Sequence, residues 1–443
     1  MSESLDRRIT AGSLMRFALP TIISNVFMGL YTSVDGVFVS RLVGTDALSA
    51  VNIMIPVILF SNAVGAMLGT GGNAIIARKL GEGKDREARE DLTFLSIVMV
   101  LSGIVLVALG LIFIRPLIYF LGADEALYPY CYAYAVPSLV IMPLSIFGMM
   151  SQLTFISVGK PNLGLITSVM GGVTNMVLDY LLIAVFDMGI AGAAVATGMG
   201  FSVPALAGIF YFLFNRKGNL YFVRPKARLW VLLKSCTNGS SEMVTSLSNG
   251  VVTILFNNVL MRLAGADGVA AITIILYAHG ILSSAYMGYA FGIAPVISYN
   301  YGKQDHERLQ AIYRISLRMI AASSVCIFVI SQLGANLLVS VFAGNNLAVR
   351  ELALSGFRVF ASCFLFIGFN IFSSAMFTAL SNGRISAILS TCRNLVFIVI
   401  VTLLLPLFIG VTGVWLAIPI AELLGLGMTV YYFQKMKGKY HYA

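Results

Sequence analysis

The chain repeats itself at a constant offset of half its length. Arg41, Leu42, Gly44, Asp46 and Ala50 recur as Arg262, Leu263, Gly265, Asp267 and Ala271, 221 residues later in a chain of 443. The same offset carries Gly71, Gly81 and Gly192 onto Gly292, Gly302 and Gly413. A duplication on this scale constrains the fold more than any single motif, because each half must build the same bundle. The repeated material is almost entirely apolar, so two copies of one membrane bundle are expected to face each other across a gap of the kind in which transporters hold their cargo.

Hydrophobic residues make up 58% of the chain and charged residues 11%, against roughly 45–50% and 25% in soluble domains. The protein is therefore read as an integral membrane protein. Apolar segments of about 20 residues are needed to cross the hydrocarbon core, and twelve are expected, near 14–40, 47–77, 92–114, 130–157, 162–186, 188–214, 231–261, 268–299, 309–342, 351–380, 385–409 and 411–434. The expected fold class is all-α, with twelve transmembrane helices in two parallel-repeat lobes of six around a central cavity. An N-lobe over 1–214, a cytoplasmic linker over 215–230 and a C-lobe over 231–443 follow from the polar, six-base stretch Asn215–Lys234.

A net charge of +10 would suggest a nucleic-acid partner in a soluble protein, but here the bases sort by loop. With both termini inside, the inner segments take 24 of the 29 Lys and Arg, Arg384 and Arg393 included, and leave Arg41, Arg115, Arg262, Arg350 and Arg358 outside. That is a positive-inside pattern, and it removes the case for nucleic acid. The five cysteines are scattered singly, without metal-ligand spacing, and the apolar N-terminal stretch reads as a retained first span rather than a cleaved signal. Eight prolines fall within spans, as packing kinks or as hinges.

Four carboxylates lie well inside apolar sequence: Asp35, Asp179, Glu242 and Glu422. A charge at mid-helix costs about 2.5–3.5 kcal/mol on insertion scales, so such groups face a wet interior, a partner or an ion. Counting about 1.5 Å per residue from the outer ends of their spans, Asp35, Asn175, Asp179 and Thr197 share one depth, with Asn175 one turn before Asp179 on the same helical face. Two carboxylates close together in low dielectric do not both stay ionised cheaply, so this group is expected to take a proton or a small hard cation such as Na+. Glu242 lies in the inner half of the seventh span and suits a cationic cargo. Glu422, on the last span, is either functional or paired with Arg358. Tyr31 and Met28 near Asp35, and His279 on the eighth span, are candidate pocket residues, set against plain core packing.

The residues now in hand resemble the multidrug and toxin extrusion (MATE) family, and its DinF-like branch in particular. The resemblance rests on Asp35-Gly36-Val37-Phe38-Val39-Ser40-Arg41-Leu42-Val43-Gly44-Thr45-Asp46-Ala47-Leu48-Ser49-Ala50, on Ala77-Arg78-Lys79-Leu80-Gly81-Glu82-Gly83-Lys84-Asp85, on Gly159-Lys160-Pro161, and on Asn175-x3-Asp179 followed by Gly189-Ile190-Ala191-Gly192-Ala193-Ala194 and Thr197. It covers the whole chain. It implies a cation site at Asp35, Asn175, Asp179 and Thr197, no catalytic residues, no cofactor beyond a coupling ion, Na+ or H+, and antiport of amphipathic organic cations. NorM-like relatives use acids on the seventh and tenth spans; here Glu242 is present and the tenth span offers only Asn370. A monomer in a bacterial plasma membrane is expected, with small-molecule cations and the bilayer as partners. The rivals are a flippase for a lipid-linked oligosaccharide or peptidoglycan precursor, which would want several deep bases, and an intramembrane hydrolase with Asp35 and Asp179 as a dyad, for which HExxH, GxSxG and GxGD motifs are all missing.

Overall fold

The computed structural model describes residues 9–43, 45–343 and 347–443; the side chains of residues 30–42, 45, 46, 48 and 341–343 lie outside the described part. The described residues form helices and turns, without a strand. In chain order the helices are α1 Ala11–Leu42, α2 Thr45–Gly81, α3 Asp85–Ile112, α4 Ile114–Phe120, α5 Tyr128–Ser157, α6 Pro161–Asp179, α7 Gly189–Phe214, α8 Leu229–Gly302, α9 His306–Leu333, α10 Ala335–Ala343, α11 Leu347–Phe360, α12 Phe364–Ala379, α13 Gly383–Thr391, α14 Ile398–Leu404, α15 Pro406–Ile409, α16 Val411–Trp415 and α17 Ala417–Tyr440. Single π turns follow α6 at Tyr180–Val185 and α13 at Cys392–Phe397.

Nine helical runs among the described residues are long and apolar enough to cross a membrane. One of them, α8, holds two spans, because Gly265 breaks it at φ 63° and ψ −154°, a conformation open to glycine and strained for other residues. With α1 and α17 these runs coincide with the twelve expected spans, so the chain is an all-α, multi-pass membrane protein. The detail differs at the outer ends. The third span stops at Ile112 and turns into the short α4, and the ninth breaks at Gly334 before α10.

The duplication is written into the backbone. Gly83 ends α2 at φ 73°, and its offset partner Gln304 ends α8 at φ 58°. In both turns the next N–H reaches back to the helix, Lys84 to the Lys79 carbonyl at 2.9 Å and Asp305 to the Asn300 carbonyl at 3.1 Å, the doubled bonding of a left-handed helix stop. Gly189 and its partner Gly410 likewise share φ of 55° and 58°.

By contact the chain divides into two compact units: residues 23–239, and residues 9–22 with 240–443. The beginnings of the first and seventh spans therefore each pack with the other half of the sequence. In the first unit Gly71 lies against Ser235 and Gly239, and a Cβ on Gly239 would fall on the Met67 carbonyl oxygen. In the second, a Cβ on Gly288 would sit 2.5 Å from the Ile22 Cα, and one on Gly292 3.0 Å from the Ala18 Cα. The pairs 71 with 239 and 292 with 18 are the same contact made twice, since both members shift by the repeat offset. Each crossing needs a small residue because backbones approach where side chains would otherwise stand.

The polar stretch between the halves is bound along its length to the first unit. Arg89 donates to the Asn219 carbonyl at 2.7 Å and to the Tyr221 hydroxyl at 2.8 Å, and the Val223 N–H donates to Thr93 at 3.0 Å. Arg228 then meets Glu90 at 2.8 Å and Glu87 and Asp91 at 3.3 Å each, while Lys79 pairs with Glu87 at 3.0 Å and with Asp91. Glu87, Glu90 and Asp91 are spaced to share one face of α3, and the Asp91 side chain has no exposed surface. This cluster fixes the start of α8 to α3.

Candidate functional site

The first unit builds its polar interior where α6 meets α7. The two helices touch at Gly171 and Gly200, where a Cβ on either would come within 2.8 Å of the other's carbonyl oxygen. That approach sets Asn175 against α7, whose Gly200 faces the Asn175 Cβ, and the Asn175 amide donates to the Thr197 hydroxyl at 3.5 Å. Asn175 and Asp179 are fully buried, and the Asn175 amide oxygen has no hydrogen-bond partner among the described residues. Asp179 closes α6 one turn later, immediately before the π turn. An inserted π turn often marks a functional position, since it redirects side chains that a regular helix would point elsewhere.

Three of the four expected site residues, Asn175, Asp179 and Thr197, thus belong to one helix pair. The backbone of Asp35 lies on α1, but its side chain, like that of Tyr31, falls outside the described residues. Met28 is described and half-buried on the same helix. Thr197 also lines a small pocket of about 50 Å3 within the first unit. Its wall mixes hydroxyls and an amide, Ser61, Asn62, Ser138 and Ser145, with the soft or aromatic Met54, Met142, Tyr134 and Phe201. Such a lining sets soft apolar surface beside oxygen atoms.

The second unit treats its acids differently. Glu422 is buried on α17 and pairs with Arg393 at 3.0 Å. Its other oxygen accepts from Asn370 at 2.7 Å, the Asn370 amide also donates to the Glu422 carbonyl at 2.8 Å, and Thr429 donates to the Asn370 oxygen at 2.9 Å. The sequence counts Arg393 with the inner bases, although the expected eleventh span 385–409 includes it, and offers Arg358 as the partner of Glu422; that partner is corrected to Arg393. Arg393 lies within the eleventh span, on the π turn that follows α13, and is buried, whereas Arg358 is the residue whose backbone carbonyl accepts from Gln332. Counting bases by loop could not find this pairing, because Arg393 stands only nine residues past Arg384, near the expected inner boundary.

Asn370 is committed to Glu422 and Thr429, so its amide is structural in this state. Glu242 lies on the inner arm of α8, half-buried and within electrostatic reach of Arg393. Close by on the same helix, Thr245 accepts from Asn394 at 2.8 Å. His279 stacks on Phe364 with ring centroids 5.9 Å apart and meets the edge of Phe360 at 5.4 Å, with its Nε2 buried and unbonded among the described residues. Sequence reasoning missed the serine-rich seam beside these groups, in which Ser374 bonds Ser386 and Ser390 at 2.8 Å each and Thr378 donates to Ser386 at 2.8 Å. The four-residue spacing of Ser374, Thr378, Ser386 and Ser390 was the signal. No group of three or more His, Cys, Asp or Glu suited to a metal occurs among the described residues.

Known proteins align with the chain from end to end. The MatE family model matches twice, over residues 20–181 and 243–404. The multidrug export protein MepA of Staphylococcus saprophyticus is 25% identical over 416 residues, covering 92% of this chain and 90% of that protein. The FAD transporter of Shewanella oneidensis is 25% identical over 434 residues, 95% of this chain and 93% of its own. Among solved structures, the outward-facing conformation of a multidrug resistance MATE family transporter of the MOP superfamily superposes with a TM-score of 0.91, at 23% identity and 98% coverage of both chains. Similar in fold, at TM-score 0.90 and 23% identity, is a MOP superfamily transporter from Pyrococcus furiosus described as having a binding pocket of reversed polarity. These likenesses leave the DinF-like branch unassigned. The double match reproduces the internal repeat, and with the twelve helices it shows that the chain belongs to the MatE family of multidrug and toxin extrusion transporters.

Proposed function

We propose that the protein is a secondary antiporter that exports amphipathic organic cations from a bacterial cell in exchange for Na+ or H+, with both termini in the cytoplasm. The observation that carries this reading is the bond of Asn175 to Thr197, with the buried Asp179 one turn on from Asn175, in the first unit beside a pocket lined by methionines, aromatics and hydroxyls. Cation binding there favours one arrangement of the helices and cargo the other, so each ligand moves at the other's expense. An inward membrane potential adds about 2.3 kcal/mol per charge per 100 mV. The multidrug export relatives support a drug-like cargo. The flippase alternative gains nothing from the second unit, where the one deep base identified, Arg393, is engaged by Glu422.

Asp35 is assigned to the same cation site by its depth in the sequence and by the family pattern. Asp35→Asn is expected to leave the protein folded and inserted while abolishing ion-coupled efflux of a cationic dye from vesicles. Efflux and ion dependence equal to those of the parent would remove Asp35 from the mechanism.

A further inference from the structure

The two units carry the same donor set in different states. The first has Asp179, Asn175 and Thr197, a carboxylate, an amide and a hydroxyl. The second has Glu422, Asn370 and Thr429, the same three chemistries, with a guanidinium 3.0 Å from the carboxylate. The second set is not a copy of the first, since the repeat offset takes Arg393 to Gly172 and Glu422 to Phe201. It is a built site. Glu422, Gly425 and Thr429 share one face of α17, and a Cβ on Gly425 would lie 3.0 Å from the Asn370 amide nitrogen and 3.3 Å from the Arg393 Cγ. A glycine there is what lets both side chains pass the helix to reach Glu422. The π turn at Cys392–Phe397 brings Arg393 into the interior, where it is buried with Asn394.

We propose that Arg393 is a tethered cation, standing permanently where an exchangeable one would otherwise bind, and that it thereby sets how many coupling ions the protein carries. A buried carboxylate deprived of its partner is strongly disfavoured as a bare charge, so Glu422 without Arg393 recruits a proton or a small hard cation in the space the guanidinium leaves, while the Asn370 amide, held by Thr429, keeps donating to its other oxygen. Among the described residues, Glu242 and His279 also lie within reach of the Arg393 charge, and the Cys363 thiol within reach of that of Glu422. The consequence for coupling rests on the antiport reading, but the count of bound ions does not.

The test is a count of cations bound by the purified full-length chain in lipid nanodiscs, with radioactive Na+ in one arm and dye-detected proton uptake in the other. Arg393→Met is expected to bind one cation more than the parent, as Na+ or as H+. Glu422→Gln added to it should return the count to that of the parent, and Arg393→Lys should not raise it. Glu422→Gln alone, a near-isosteric change and the safeguard if Arg393→Met fails to fold, is expected to leave the count unchanged. An unchanged count in Arg393→Met, or a loss of one cation in Glu422→Gln, overturns the proposal. A parent chain that binds no cation at all would instead defeat the antiport reading, while the difference between parent and Arg393→Met still decides the role of Arg393.

Discussion

The two units bury carboxylates of similar chemistry in different company. In the first, Asp179 ends a helix beside an asparagine that bonds a threonine hydroxyl. In the second, Glu422 is held by an arginine, an asparagine and, through it, a threonine. Each site adjoins a π turn, at Tyr180–Val185 and at Cys392–Phe397, but the turns do not correspond under the repeat offset. A duplication therefore conserved the bundle while leaving each half free to place its polar interior. On the proposed function one half keeps a carboxylate for an exchangeable ion, whereas the other ties its acid to the chain's own base.

The largest effect should come from breaking the second site. Arg393→Leu leaves Glu422 buried without its partner and should cost about 3–5 kcal/mol, read as a lowered Tm in detergent. Arg393→Leu combined with Glu422→Leu should recover most of that loss; a double variant no more stable than the single would mean that the pair contributes through packing alone.

Next come the glycine crossings, which test whether the two halves pack their exchanged spans equally tightly. Gly239→Val meets backbone at the Met67 carbonyl and should cost about 1–3 kcal/mol or more. At Gly292 a Cβ would stand 3.0 Å from the Ala18 Cα, so Gly292→Ala should be the milder change. Equal losses of Tm would remove the distinction.

The linker cluster belongs to the first unit alone. Glu87, Glu90 and Asp91 map onto Arg308, Ala311 and Ile312, and Lys79 maps onto Asn300. Asp91→Ala removes the one fully buried acid of the cluster, leaving Lys79 only Glu87 and Arg228 only Glu87 and Glu90, and should cost about 1.5–3 kcal/mol, with faster proteolysis of the segment Asn215–Arg228 as the local readout. Resistance equal to that of the parent would show that the backbone and Tyr221 contacts hold the linker without the ions.

A smaller effect separates the matched turns. Gln304 occupies a left-handed position that its partner Gly83 occupies freely, so Gln304→Gly should gain about 1 kcal/mol and Gly83→Ala lose about as much. In that first turn burial works to raise the Glu82 carboxyl, but Lys84 and Arg78 overrule it and hold the group below its usual value. A depressed folded pKa gives stability that is present above the unfolded value and is lost as pH falls through the folded one. Glu82→Gln should therefore lower Tm slightly at neutral pH, with the difference from the parent vanishing in acid below about pH 4.

Much of this was legible in the sequence. The repeat and the twelve spans follow from offset and span length, and helical rise sets Asn175 level with Thr197, which it bonds, each a local property of the chain. The partner of Glu422 was not legible, because it depends on which face a π turn presents, and an extra residue in a turn leaves no periodic trace. Nor was the exchange of the first and seventh span beginnings between units. Gly71 and Gly239 read as ordinary small residues until the backbones they admit are known.

The central claim is that an ion bound in the first unit drives cargo. Its most direct test is efflux of a permanently charged aromatic dye from proteoliposomes, under an imposed Na+ gradient and then an imposed pH gradient, for the parent and for Asp179→Asn. Dye movement that one of the gradients drives in the parent, and neither drives in the variant, is the predicted result. Transport that proceeds equally without either gradient, or that Asp179→Asn leaves coupled, would contradict it.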